Sequence, residues 1–210
     1  MIEIILVRHG ETEWNRREIF RGRADIELSE TGARQAELLA KYLSQAGIAA
    51  IYSSPLKRAL KTAEAIASYH GLEVKPTSGL IDFDYGKWQG LPHQEVKERY
   101  RKLYAEWLKN PHRVKIPAGE SLNDVTRRAL GIVDRVRRQH EGTVVLVSHR
   151  VVNKVLICAL LGLDSAHFWN IKQDVGAITT FVCEDDRFIL TRHNDTSFLK
   201  AITTAPLSDF

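Results

Sequence analysis

Three separated stretches place a cation or an imidazole just beyond an apolar run: Arg8-His9-Gly10, Arg58 after Ser53-Ser54-Pro55-Leu56-Lys57, and Ser148-His149-Arg150. Like charges gathered at one edge repel one another unless something anionic lies among them. Phosphate fits best, because arginine forks match its oxygens in pairs and a protonated histidine adds a further donor. A neutral imidazole is a nucleophile, and arginine neighbours favour neutrality, so His9 is the residue to attack phosphorus. The departing alkoxide then needs a proton from a carboxylic acid near the same edge. Asp82 and Asp84, in LIDFDYGKWQG, stand among aromatics that would take a carboxyl out of water. Residue type alone does not choose between them.

These residues converge only if the surrounding elements build one sheet. Ile2 to Val7 is a short β-branched run stopped by Arg8, the pattern of a buried strand. Ser29 caps a helix whose Ala33, Ala36, Leu39, Ala40 and Leu43 share a face until Gly47. A strand from Ala50 to Ser53, a helix begun at Pro55 and a strand from Leu72 to Pro76 complete a βαβαβ start. From Gly79 to Glu120 the pattern loosens around one expected helix, Gln94 to Lys109, and reads as a lid-like insertion. Ser121 and Asp124 open a helix to about His140 through a capping box. A strand from Val144 to Val147, a helix from Val151 to Leu161, and strands Ala177 to Cys183 and Phe188 to Arg192 follow. Such alternation predicts an α/β three-layer sandwich, its mostly parallel central sheet flanked by helices, with ligand outside the strands' carboxyl ends. Residues 1–210 are expected as one domain with its insertion at about 79–120.

RHGETEWN, from Arg8 to Asn15, resembles the signature of the histidine phosphatase superfamily, also called phosphoglycerate mutase-like. The resemblance continues in order through FRGRADIELSETGARQA, SSPLKRALKTAE, GES and VSHR. It implies a metal-independent phosphomonoester hydrolase of the small phosphatase branch, with no cofactor and a small phosphorylated metabolite as substrate. By position, His9 matches the residue that becomes phosphohistidine, and Arg8, Arg58 and His149 match the phosphate-binding residues. Asn15 matches a polar residue lining the same pocket. The family's acid is usually a Glu four residues before the Gly of L-x-E-x-x-x-G-x-W-x-G. Here that Gly is Gly86, so the matching position is Asp82, one methylene shorter, with Asp84 as its rival.

The resemblance further implies that the segment after the signature and the insertion shape the leaving-group pocket. They offer Arg21, Gly22 and Arg23, then Tyr85, Trp88, His93, His112, Arg113 and Lys115. Arg21 would suit a substrate with a second anionic group, such as the carboxylate of phosphoserine or phosphoglycerate, or a second sugar phosphate. Relatives of this size include phosphoserine, α-ribazole and broad-specificity phosphatases, and Phe168-Trp169 leans toward phosphoserine. A cofactor-dependent mutase would use the same residues, but its ERHYG-like stretch does not match HQEVKERYRKLY, His93 to Tyr104. A non-catalytic phosphate-binding regulatory module has only the Asp-for-Glu exchange in its favour.

Composition removes other classes. At 210 residues, 44% hydrophobic and 27% charged, the chain is globular and large enough for a buried core. Its longest apolar stretches fall far short of the roughly 18 residues a membrane span needs. A net charge of +4 favours anionic partners without naming one. Arg127, Arg128, Arg135, Arg137 and Arg138 interleave with Asp124, Asp134 and Glu141, the pattern of a solvated helix face rather than a nucleic-acid reader. Eight histidines form no HExxH or similar ligand pair, so no metal is expected. Ser148 lacks the G-x-S-x-G elbow of a nucleophile. Trp88, Trp107 and Trp169 are expected to complete a core or lid. Cys158 and Cys183, both in apolar runs, read as reduced, buried thiols, and MIEIILV carries no export signal, which makes the cytoplasm the expected compartment. An edge strand near the C-terminus offers two copies a way to pair as a homodimer.

Overall fold

The computed structural model describes residues 1–200 and Ile202; positions 201 and 203–210, which the sequence assigns to the same domain, lie outside the described residues. Alternation within β1 (Ile2–Arg8) sets up the layers, with Ile2, Ile4 and Leu6 turned to one core and Ile5 and Val7 to the other. A strand apolar on both faces has to be covered on both. β4 (Gly142–Ser148) lies parallel beside β1 and repeats the pattern, Val144 and Leu146 opposite Val145 and Val147. β2 (Ile48–Ser53) flanks β4 and β3 (Val74–Pro76) flanks β2, both parallel. β5 (Ile178–Glu184) and β6 (Arg187–Asp195) extend the other side antiparallel, giving the order β3-β2-β4-β1-β5-β6. The three-layer α/β sandwich read from the sequence is the architecture found.

Two helices cover each face. α2 (Glu30–Leu43) and α3 (Lys57–Ser68) seal one core with Leu39, Ala40, Ala63 and Ile66. α6 (Leu122–Gln139) and α7 (Arg150–Leu160) seal the other with Val125, Val133, Val152 and Leu156. Ser29 caps α2 by accepting from Gly32 N at 3.1 Å, and Ser121 and Asp124 form the expected capping box on α6. The first residue of α3 is capped from a distance, Lys57 N donating to Asp25 Oδ1 at 2.8 Å. No helix of the described residues is long and apolar enough to cross a membrane.

Segment 79–120 folds around aromatics. Phe83, Trp88 and Trp107 are fully buried, and Phe83 stacks on Trp107 with ring centroids 5.6 Å apart. Trp169 joins them by donating its indole N–H to Trp107 O at 2.9 Å. The expected helix Gln94 to Lys109 is two helices, α4 (His93–Arg99) and α5 (Arg101–Lys109), divided at Tyr100 with φ −119° and ψ 35°. The break reorients the second helix, so that Val96 before it and Trp107 after it both reach the aromatic cluster. A short helix, α1 (Glu13–Arg16), follows the RHG signature.

Two sequence expectations need correction. Arg128 does not belong to a solvated face. Its side chain is four-fifths buried, and its guanidinium donates to Gly79 O, Ile81 O, Asp82 O and Glu120. Cys158 is buried as expected, but Cys183, near the end of β5, is only partly so; both are free thiols.

Candidate active site

Strand register brings the signature residues together. Arg8 pairs with Ser148 and Ser53 with Val147, so the carboxyl ends of β1, β4 and β2 lie side by side. The ladder continues one step beyond the strands: His9 N donates to Ser148 O at 3.1 Å, and Ser54 N to Val147 O at 2.9 Å. The loop after β1 is then seated on the start of α2. A Cβ on Gly10 would overlap Gly32 O, and one on Gly32 would overlap Glu11 O, so both positions need glycine for the backbones to meet. Gln35 on α2 accepts from Glu11 N at 2.8 Å, and Thr62 on α3 accepts from Gly10 N at 3.2 Å. The glutamate of the signature is therefore structural: Glu11 Oε1 accepts from Ser29 at 2.8 Å and pairs with Arg16 at 2.7 Å.

His9 is 1% exposed. Its Nδ1 lies 2.6 Å from Gly10 O, which can only accept, so Nδ1 carries the proton and Nε2 holds the lone pair. Arg58 Nε donates to that Nε2 at 3.3 Å, consistent with the same tautomer. Burial first, then Arg58, His149, Arg8 and Arg21, hold the imidazole well below its ordinary protonation range.

The other predicted residues stand around it. Arg58 is fully buried on the first turn of α3, with its fork fixed by Gly22 O and Ala24 O, each at 2.7 Å, and by Asp82 Oδ2 at 2.9 Å. Arg8 donates through Nη1 to Gln173 O. The His149 ring packs edge-on against His9, centroids 5.1 Å apart; its Nε2 is 2.7 Å from Ser54 Oγ and its Nδ1 3.5 Å from Asp82 Oδ2. The expectation of a protonated histidine donor does not fit His149. Burial, with Arg58 the next cause, holds it well below its usual range, so a single ring N–H is on offer.

The structure separates the two aspartates. Asp82 is buried, held by Phe83 N at 2.8 Å and by Arg58, and faces His149. Asp84 turns away, accepting from Gly86 N at 2.8 Å and pairing with Arg23 at 3.3 Å. Asn15 is buried on α1 with its side-chain oxygen committed to Thr12 N and Oγ1 at 2.9 and 2.8 Å. Gly22, with φ +50°, lends its carbonyl to Arg58 in a space where a Cβ would strike Gln89 and Phe83.

Beside Asp82 opens a small cavity lined by Arg21, Gly22, Tyr85, His93 and Arg150. Of the residues expected around a leaving group, Arg23 faces outward to Asp84 and Glu120, Trp88 is core, and His112, Arg113 and Lys115 are not among its lining. Arg150 was legible only as a strand-end cation; the structure makes it the first residue of α7 and part of this wall. Ser148, unsuited as a nucleophile, donates to Leu80 O at 2.7 Å and so ties the segment leading to Asp82 onto β4. Among the described residues no three His, Cys, Asp or Glu gather as a metal-binding set.

Known proteins are similar to this chain in sequence and fold. Phosphoserine phosphatase 1 of Hydrogenobacter thermophilus is 41% identical over 200 residues, 95% of each chain. The solved structure of Bacillus stearothermophilus YhfR superposes with a TM-score of 0.91 at 31% identity, covering 95% of this chain and 100% of that one. A phosphoserine phosphatase mutant from Entamoeba histolytica, solved in complex with phosphoserine, gives 0.80 at 32% identity, with 95% and 100% covered. The profile of the histidine phosphatase superfamily (branch 1) matches residues 4–196. The chain belongs to the histidine phosphatase superfamily, branch 1, and is a phosphatase.

Proposed function

We propose that this phosphatase hydrolyses a small phosphomonoester through a phosphohistidine on His9, without a metal ion, and that phosphoserine is the first substrate to try. The observation that carries the reading is the His9 tautomer: Nδ1–H is spent on Gly10 O, and the Nε2 lone pair faces the guanidinium of Arg58. Nε2 attacks phosphorus in line, and the P–O bond to the alcohol breaks. Arg8, Arg58, His149 and the Asn15 amide hold the phosphoryl oxygens. Asp82, protonated, gives its proton to the departing alkoxide. Its carboxylate then takes a proton from water as that water attacks the phosphohistidine, which releases phosphate and restores both His9 and the acid. Segment 79–120, as an insertion within one domain, supplies this acid. The names of the Hydrogenobacter and Entamoeba relatives support phosphoserine.

The test is phosphate release in excess EDTA from phosphoserine, 3-phosphoglycerate, α-ribazole phosphate, sugar phosphates and an aryl phosphate. Release should survive the chelator and vanish in His9→Ala. Loss of activity in EDTA, or turnover persisting in that variant, would overturn the mechanism.

A further inference from the structure

One turn touches both residues at the end of β1. Residues 173–177 lead toward β5, and from them Gly176 N donates to His9 O at 3.2 Å, Ala177 O accepts from Arg8 N at 3.0 Å, and Gln173 O accepts from the Arg8 guanidinium. Main chain and fork of Arg8 are therefore held by the same few residues. The turn closes on itself, Ala177 N donating to Asp174 O at 3.2 Å, with Gly176 at φ +69°. Gln173 is fully buried, and its amide oxygen lies 3.5 Å from Thr179 Oγ1 on β5.

A bulge in β6 grips this turn from outside. β5 and β6 pair Ile178 with Asp195 and Thr180 with Arg192, so His193 and Asn194 stand opposite the single Thr179. An extra residue in one strand re-aims a side chain. Asn194 takes φ +50°, a left-handed conformation that asparagine adopts more readily than most residues. Its N–H donates to Thr179 Oγ1 at 3.2 Å. Its side chain spends both ends on Asp174: Oδ1 accepts from Asp174 N at 2.6 Å, and Nδ2 donates to Asp174 Oδ2 at 2.8 Å. An amide supplies that acceptor and that donor at once, whereas a carboxylate would repel the Asp174 side chain. Asp174 follows Gln173 directly, so the edge strand of the sheet has a hold on the carbonyl that meets Arg8.

We infer that Asn194 is a positioning residue for phosphoryl transfer: its grip on Asp174 sets the Gln173 carbonyl, and through it the direction in which the Arg8 guanidinium meets the phosphoryl oxygens. This rests on the reading that Arg8 holds those oxygens while His9 attacks. A guanidinium turned out of line weakens the hold on every phosphoryl group alike, whatever alcohol it carries. That pattern separates Asn194 from the residues around Asp82, whose loss depends on the leaving group.

The experiment is a double-mutant cycle on kcat/KM for an aryl phosphate, with wild type, Asn194→Gly, Arg8→Lys and the double variant, and with an alkyl phosphate and inhibition by inorganic phosphate measured alongside. Glycine removes the amide and suits φ +50°, so the bulge is kept. Asn194→Gly should lower kcat/KM by about 10- to 100-fold, equally for both esters, and raise the inhibition constant of phosphate. Asp174→Ala, which cuts the same side-chain link from the turn, should repeat the pattern with a smaller loss. Beside Arg8→Lys, Asn194→Gly should cost less than about threefold, because the fork it positions is gone. A loss just as large in that background would mean that Asn194 acts without Arg8, and would overturn the inference. So would an unchanged inhibition constant for phosphate, or a loss confined to the alkyl ester. An Arg8→Lys enzyme as active as wild type would remove Arg8 from the phosphoryl site and overturn its role and this inference together, leaving attack by His9 to the His9→Ala test.

Discussion

His9 gains its chemistry from what surrounds it. Removed from water and ringed by guanidiniums, its imidazole keeps a lone pair at a pH where an exposed histidine would be partly protonated. The Asp82 carboxyl lies against Arg58 and His149 on the same floor, so acid and nucleophile are held by one set of contacts. Asp82→Asn should slow an alkyl phosphate by roughly 10²- to 10⁴-fold. The burst of alcohol from an aryl phosphate should change far less, because phenolate leaves without a proton. Rapid-mix kinetics on the two ester types checks this, with Asp84→Asn as control; equal losses on both substrates would remove Asp82 from the acid's role. His9, Arg8, Arg58 and His149 could be read from the sequence because each ends or directly follows a strand, or lies in the first turn of a helix, within an ordered motif. Arg150 shares that position, yet its meaning depends on Arg21 arriving from another loop, which spacing along the chain does not reveal.

At the scale of elements, the acid is placed by a brace. Arg128 on α6 reaches Ile81 O and Asp82 O across 47 and 46 residues, at 2.6 and 3.1 Å, and grips Glu120 with Nε and Nη2. Glu120 in turn accepts from Asp84 N at 3.0 Å, so the strap bearing Asp82 is tied at both of its aspartates. Arg128→Met strands these carbonyls and Glu120, and should lower stability by about 3 kcal/mol. Urea midpoints measure that loss. If the brace positions the acid, kcat for an alkyl phosphate should fall more than kcat for an aryl phosphate, with Arg128→Lys restoring only part because an ammonium cannot span the fork. An unchanged alkyl-to-aryl ratio would reduce Arg128 to a purely structural part. Interleaved acids suggested solvent here because a helical pattern reports charge but not which distant carbonyls a side chain meets. The break at Tyr100 was hidden for a related reason: the sequence is helical on both sides, and what divides it is the packing of Val96 and Trp107. Strands and covering helices were legible because their apolar periods are local.

For the molecule as a whole, folding a cationic site carries a pH signature. His9, His149 and His93 all have folded-state values below the ordinary 6.5, burial being the largest cause for each. Above pH 6.5 both folded and unfolded chains hold these rings neutral, and they contribute no pH dependence. As pH drops below 6.5 the unfolded chain takes up protons that the folded one refuses, so stability falls, by up to about 1.4 kcal/mol per pH unit for each ring. For His93 the window closes at about 4. The carboxylates whose values are lowered, Asp124, Asp164 and Asp195, start from 3.8 and so begin to cost stability only at lower pH. His93→Gln therefore separates charge from packing. Its ring lies 4.1 Å from Phe20, and losing that contact should cost the same at every pH. The proton it refuses should matter only between pH 6.5 and 4. Urea midpoints at pH 8, 6.5, 5.5 and 4.5 should show the variant displaced by a constant at the two higher values and closing on the wild type at the two lower ones. A constant displacement throughout would mean that His93 titrates in the folded protein as it does in water, and that the wall of Arg21 and Arg150 is open enough to solvent to screen their charge.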